Sequence, residues 1–216
     1  MHADLSRSTR AAELMTAVLL INQVVAVACQ FLQHTDPRFP LWYFTVDSSI
    51  LAGLSAAADL AVPRALWLPA LRHTAAVGVV VSAVVFAAII APASPSGAWF
   101  QGHDDAVVRV ATVLFHAVAP VLVSAGCLLR CNGIRGCAAV GYAFAWPVAY
   151  LIGLCTMVGI RGAAVIPYPF LAPGQMGWGM VGLAAGALAL LIAVTGTALG
   201  ALGRFGCADK SGIGVS

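Results

Sequence analysis

The stretch that most constrains this chain is Asp105 to Leu128, DAVVRVATVLFHAVAPVLVSAGCL, an apolar run interrupted near its middle by one histidine, His116. About twenty apolar residues, rising about 1.5 Å each, cross the hydrocarbon core of a bilayer. The run has that length, which puts His116 inside a membrane. An ionisable side chain there costs roughly a few kcal/mol unless it faces a polar or wet interior, so His116 calls for a partner on another helix.

The rest of the sequence agrees with a membrane reading. Of 216 residues, 61% are apolar and 9% charged, and the mean hydropathy is +0.95, far from the roughly 25% charged content of soluble domains. The expected fold is all-α, a polytopic bundle of six transmembrane helices forming one domain over 1–216. The spans are predicted at roughly 11–33, 41–61, 73–91, 105–128, 137–160 and 177–202, with a polar tail at 203–216. A net charge of +3 without a basic cluster excludes a nucleic-acid partner. Bilayer lipids are the expected partners, and the oligomeric state stays open.

Local signals refine the spans. The basic start at Arg7 and Arg10 before a long apolar run has the order of a signal peptide, and Ala26-Val27-Ala28-Cys29 resembles a lipoprotein cleavage box. The length of the run, Glu13 in its first turn and the later spans favour a retained first span. Val62 to Leu71, with Pro63, Arg64, Trp67 and Pro69, reads as a hairpin loop. Trp146-Pro147 predicts a kink in span five. Gly182, Gly186 and Gly200 predict close helix approach by span six. Trp42, Trp99 and Trp178 read as interface anchors.

Six spans put both ends on one side. Arg7, Arg10, Arg64, Arg72, Arg130, Arg135, Arg204 and Lys210 fall on that side, Arg38 and Arg161 fall opposite, and Arg109 lies within span four. The excess of basic residues assigns both termini to the cytoplasm of a cell-membrane protein. The six cysteines, Cys29, Cys127, Cys131, Cys137, Cys155 and Cys207, are scattered over spans and loop ends. Cys127, Cys131 and Cys137 lack the paired close ligands of a zinc site, so neither a metal nor a cofactor is expected.

Chemistry is concentrated on two helix faces. Thr45, Ser48 and Ser49 stand at i, i+3 and i+4 on span two; Arg109, Thr112 and His116 are spaced by three and four on span four. Adjacent helices could set a hydroxyl opposite an imidazole, and histidine is the side chain suited to take a hydroxyl proton near neutral pH. Structural glue is the competing reading, since serine and threonine bond back to the preceding turn and a histidine can hydrogen-bond across a bundle. Asp47 lies about 200° round the helix from Thr45 and is expected to pair elsewhere. Asp59 is expected to snorkel or to contact Arg64, and Glu13, Asn22, Gln23 and Gln30 to bond between helices. Depth sets a condition: Thr45 lies about 7 Å into span two and His116 about 16 Å below Asp105 by helical rise, so tilt or an earlier start must close the gap.

FTVDSSIL in span two, LFHAVAPVLV in span four and PYPFLAPG in the last loop, together with six spans, resemble the androgen-induced-protein family of six-helix membrane proteins. Within it, the bacterial branch named for its prolines and six spans is the most similar. The resemblance covers most of the chain in order and spacing. It implies a threonine hydrolase of fatty acid esters of hydroxy fatty acids, with Thr45 as nucleophile, His116 as its base and Pro120 as the family's proline. It also implies that Tyr168, Pro169, Phe170, Leu171 and Gly174 shape a loop over the site. Ser48 or Ser49 is the expected oxyanion or orienting group. The alternative is a membrane scaffold, lipid binder or carrier in which His116 is polar glue.

Overall fold

In long apolar runs the backbone has only itself to hydrogen-bond, and no strand occurs among the described residues. The computed structural model describes the backbone of residues 2–130 and 134–212 and the side chains of 10–130 and 134–204. Arg7, Cys131, Cys207, Lys210 and most of the expected tail lie outside the described side chains. The helices are α1 (His2–Leu32), α2 (Phe44–Ala61), α3 (Leu68–Ala93), α4 (Ala106–Leu129), α5 (Gly136–Arg161) and α6 (Pro173–Gly212). The last runs past its expected end at 202.

Five of these, all but α2, contain a stretch long and apolar enough to cross a membrane, where six were expected. The 18 residues of α2 include Asp47, Asp59 and the hydroxyls of Thr45, Ser48, Ser49 and Ser55, which lower its hydropathy. Pro69 does not close a loop as expected. It sits in the first turn of α3, where its missing N–H costs nothing, so the helix begins at Leu68 and carries His73 into the bundle. α5 runs on through the buried Pro147. α6 is broken at Gly177, whose φ of 75° and ψ of 155° only glycine adopts readily.

The core helix is α3. Over half of its span window, 56%, is buried, against 17–22% for the other four. Its Ala, Val, Gly and Ser side chains let α2, α4, α5 and α6 all pack on it. A Cβ on Gly78 would lie 2.9 Å from Ser48 Oγ and 3.1 Å from a Trp146 ring carbon, so α2 and α5 meet over that glycine. The closest approach of α5 and α6 is at Gly196, where a Cβ would lie 2.5 Å from Ala143 Cβ, and at Gly200, against Ala139. Gly182 and Gly186, expected to do this, have nothing within 4 Å.

The bundle has a proximal end, holding the start of α1, the α2–α3 turn and the end of α4, and a distal end, holding the loops 33–43, 94–105 and 162–172. At the proximal end Asp59 is buried to 1% side-chain exposure between Arg72 and Arg130. It takes Arg72 Nη1 at 3.0 Å, Arg130 Nη1 at 3.0 Å and Arg130 Nη2 at 2.8 Å, and Thr16 Oγ1 donates to it at 3.1 Å. Arg130 Nη2 also donates to Thr16 Oγ1 at 2.8 Å and to Ala12 O at 3.2 Å. Neither snorkelling nor Arg64 supplies Asp59's partners. It ties α1, α2, α3 and α4 together from within.

Candidate active site

The distal end begins with a latch that joins α1 to α4. Asp105 caps α4 by accepting from Val108 N at 2.8 Å, and its other oxygen accepts from His34 N at 3.0 Å and Thr35 Oγ1 at 3.2 Å. These donors hold its carboxyl below the ordinary value of 3.8, the His34 amide first among them. Nearby, the Tyr43 hydroxyl donates to Asp36 in a short hydrogen bond, and burial raises the Tyr43 phenol well above its usual range.

Below that latch two helices depart from α geometry at one place. α3 makes a π-turn over Phe86–Ile90, and α4 makes another over Leu114–Val118. His116 lies in the second and stacks on Phe86 in the first, with ring centroids 3.9 Å apart and planes 3° from parallel. Trp99 packs edge-on against the same Phe86 at 5.3 Å. Single π-turns inside α-helices recur at functional sites because the widened turn frees backbone groups and re-aims side chains. Here Asn22 Nδ2 of α1 donates to Leu114 O, the first carbonyl of the π-turn, at 3.3 Å.

His116 Nδ1 is buried and unpartnered, and neither ring nitrogen makes a hydrogen bond among the described residues. The even spacing of Arg109, Thr112 and His116 does not survive the π-turn. Arg109 is exposed, donating to Gln101 O at 3.2 Å and lying over the Phe100 ring, and Thr112 bonds back to Val108 O at 2.9 Å.

Thr45 stands in the first turn of α2, half-buried, near the phenol of Tyr168. Burial pushes Tyr168 up to about 12, so at neutral pH it is a neutral hydroxyl. Tyr168 belongs to the PYPFLAPG loop, and it packs with Tyr43, Phe44, Tyr150, Val165 and Phe170 against the start of α2. Thr45 and His116 do not hydrogen-bond each other among the described residues. α2 and α3 are antiparallel with Ser48 against Gly78, so Thr45, about 4.5 Å further out, is abreast of Val81, about 7.5 Å short of the Phe86 on which His116 stacks.

Ser48 is fully buried and accepts from Trp146 Nε1 at 3.1 Å, which fixes it as a link between α2, α3 and α5. Ser49 is 2% exposed, and no hydrogen bond to its hydroxyl is found among the described residues. Of the expected interhelical bonders on α1, Asn22 makes its bond, whereas both side-chain atoms of the buried Gln23 lack a partner. Two contributors were missed from sequence: Phe86, hidden in a run of Ala and Val, and Tyr168 as a neighbour of Thr45, which the family resemblance gave only as part of a loop. No group of three or more His, Cys, Asp or Glu able to hold a metal occurs among the described residues. No protein-family model matches this chain, and comparison with curated proteins and with solved structures found no match.

Proposed function

We propose that this chain is an intramembrane hydrolase of lipid esters, with fatty acid esters of hydroxy fatty acids as the substrate class suggested by the family resemblance. In this reading α2 is the sixth span, both termini are cytoplasmic, and the distal end faces outward from the cell membrane. The observation that carries the proposal is His116, an imidazole without a hydrogen bond where two π-turns meet. The scaffold or carrier alternative needs His116 to glue helices by a hydrogen bond, and among the described residues it makes none.

The chemistry follows the residues. The Thr45 oxygen attacks the ester carbonyl while His116 takes the hydroxyl proton, then returns it to the departing alkoxide; water repeats the sequence to free the acid. Catalytic hydrogen bonds often tighten only once substrate is bound, so the open Thr45–His116 pair is compatible with these roles. In this reading the Tyr168 phenol, neutral and near Thr45, donates to the developing oxyanion, with Ser49 as the second donor. Ser48 is committed to Trp146.

The test uses the purified protein, a branched fatty ester and a fluorophosphonate probe. Labelling of Thr45 is expected, with turnover abolished in Thr45→Ala and His116→Ala and lowered by about a hundredfold in Tyr168→Phe. Full activity in either alanine variant removes that residue from the mechanism, and no activity toward any lipid ester with a folded protein ends the proposal.

A further inference from the structure

On the face of α2 turned away from Thr45, Asp47 opens into a cavity of about 290 Å³ between α2, α5 and the short turn Pro40–Trp42. Its walls are Trp42, Trp146 and Tyr150, with Leu41, Leu154 and Met157. The volume is at the low end of small-ligand sites. No hydrogen bond or ion pair reaches the Asp47 carboxylate among the described residues, contrary to its expected pairing. The helix dipole at the start of α2 accounts for a carboxylate in that turn. It does not account for three aromatic rings gathered round it.

Those rings are held in place by their polar ends. Trp146 Nε1 donates to Ser48 Oγ at 3.1 Å, Tyr150 Oη donates to Trp42 O at 2.7 Å, and edge-on contacts set Trp42 against Phe39 and Tyr150 against Phe44. With their hydrogen-bonding groups spent on the protein, what Trp146 and Tyr150 offer the cavity is carbon and ring surface. Aromatic surface with one negative charge and no competing donor suits a bulky, weakly hydrated organic cation, which gains from the ring quadrupoles and from the carboxylate. It suits an anion or a wholly apolar chain poorly.

We infer that Asp47, Trp42, Trp146 and Tyr150 form a binding site for an alkylammonium group. Trp42 sits at the margin of the distal end, the level at which lipid headgroups meet a spanning bundle, so a choline-type headgroup and a free ammonium compound are the two sources of that chemistry. The site is separate from Thr45 and His116 and stands whether or not they hydrolyse esters.

The experiment titrates tetramethylammonium into the protein in phosphatidylglycerol nanodiscs, following tryptophan fluorescence. In parallel, native mass spectrometry counts retained lipid after reconstitution with and without phosphatidylcholine. Saturable binding is expected, weakened about tenfold or more by Asp47→Asn, whose unchanged thermal melt shows that it folds. Trp42→Leu, at the rim, carries the same expectation and stands in if Asp47→Asn does not fold. Retention of phosphatidylcholine that depends on Asp47 identifies the lipid as the source; tetramethylammonium binding without such retention identifies a free cation. Absence of both, or equal binding by wild type and the variants, overturns the inference.

Discussion

The two ends of this bundle treat the carboxylates of α2 in opposite ways, Asp59 with partners and Asp47 without any among the described residues. At the proximal end Asp59, Arg72, Arg130 and Thr16 interlock, and both carboxylate oxygens of Asp59 are engaged. Arg72 Nε and His73 Nδ1 there nonetheless lack a partner; toward the distal end His116 makes no hydrogen bond and the Asp47 carboxylate has no ion-pair partner, and mid-bundle Gln23 leaves both amide atoms unpaired among the described residues. A buried charge with its partners holds helices together, whereas a buried polar group without them costs stability and is retained where something else must bind or react. In the proposed reading the contrast separates the end that holds the fold from the end that carries function.

The strongest way to break that division is Asp59→Asn. It leaves two part-buried guanidiniums without an anion and is expected to cost about 3 kcal/mol in unfolding from detergent. A loss under about 1 kcal/mol would mean that the proximal end is not the structural one. The two buried histidines give a sharper test. His73 donates from Nε2 to Ala139 O at 2.9 Å and joins α3 to α5, so His73→Leu removes that interhelical bond and is expected to cost about 0.5–1.5 kcal/mol. His116→Leu removes an unpartnered nitrogen and is expected to be neutral or stabilising while ending turnover. Equal destabilisation by both would return His116 to the role of structural glue.

The smallest expected effect is on the latch. The carboxyl of Asp105 is depressed in the fold below 3.8, so its contribution to stability is present above that value and is lost as pH falls through the lower, folded one. The thermal midpoint should therefore be flat above about pH 5 and decline in acid, more steeply in wild type than in Asp105→Asn. Parallel acid profiles would show that the latch contributes nothing.

Much of this was legible in the chain itself. Apolar runs of membrane length fix the helices, because a backbone in hydrocarbon has no other way to satisfy its hydrogen bonds. The placement of Thr45, Ser48 and Ser49 on the inward side of α2 follows from a helical period of about 3.6 residues. Period also turned Asp47 away from Thr45.

Other features depend on which helix meets which, and that is decided by contacts between residues far apart in sequence. Only packing on α3 fixes the register of α2, through the Ser48–Gly78 contact. Only the paired π-turns bring Phe86 onto His116, because an inserted residue breaks the spacing on which sequence patterns rely. Trp42 reads from sequence as an anchor at the membrane edge; its turn toward α5, beside Asp47, comes from the Tyr150 hydroxyl bonding its carbonyl. Period and hydropathy are properties of one helix at a time, whereas a site is a property of several, and that is why the sequence determined the helices and their faces while the assembled bundle alone decided what those faces meet.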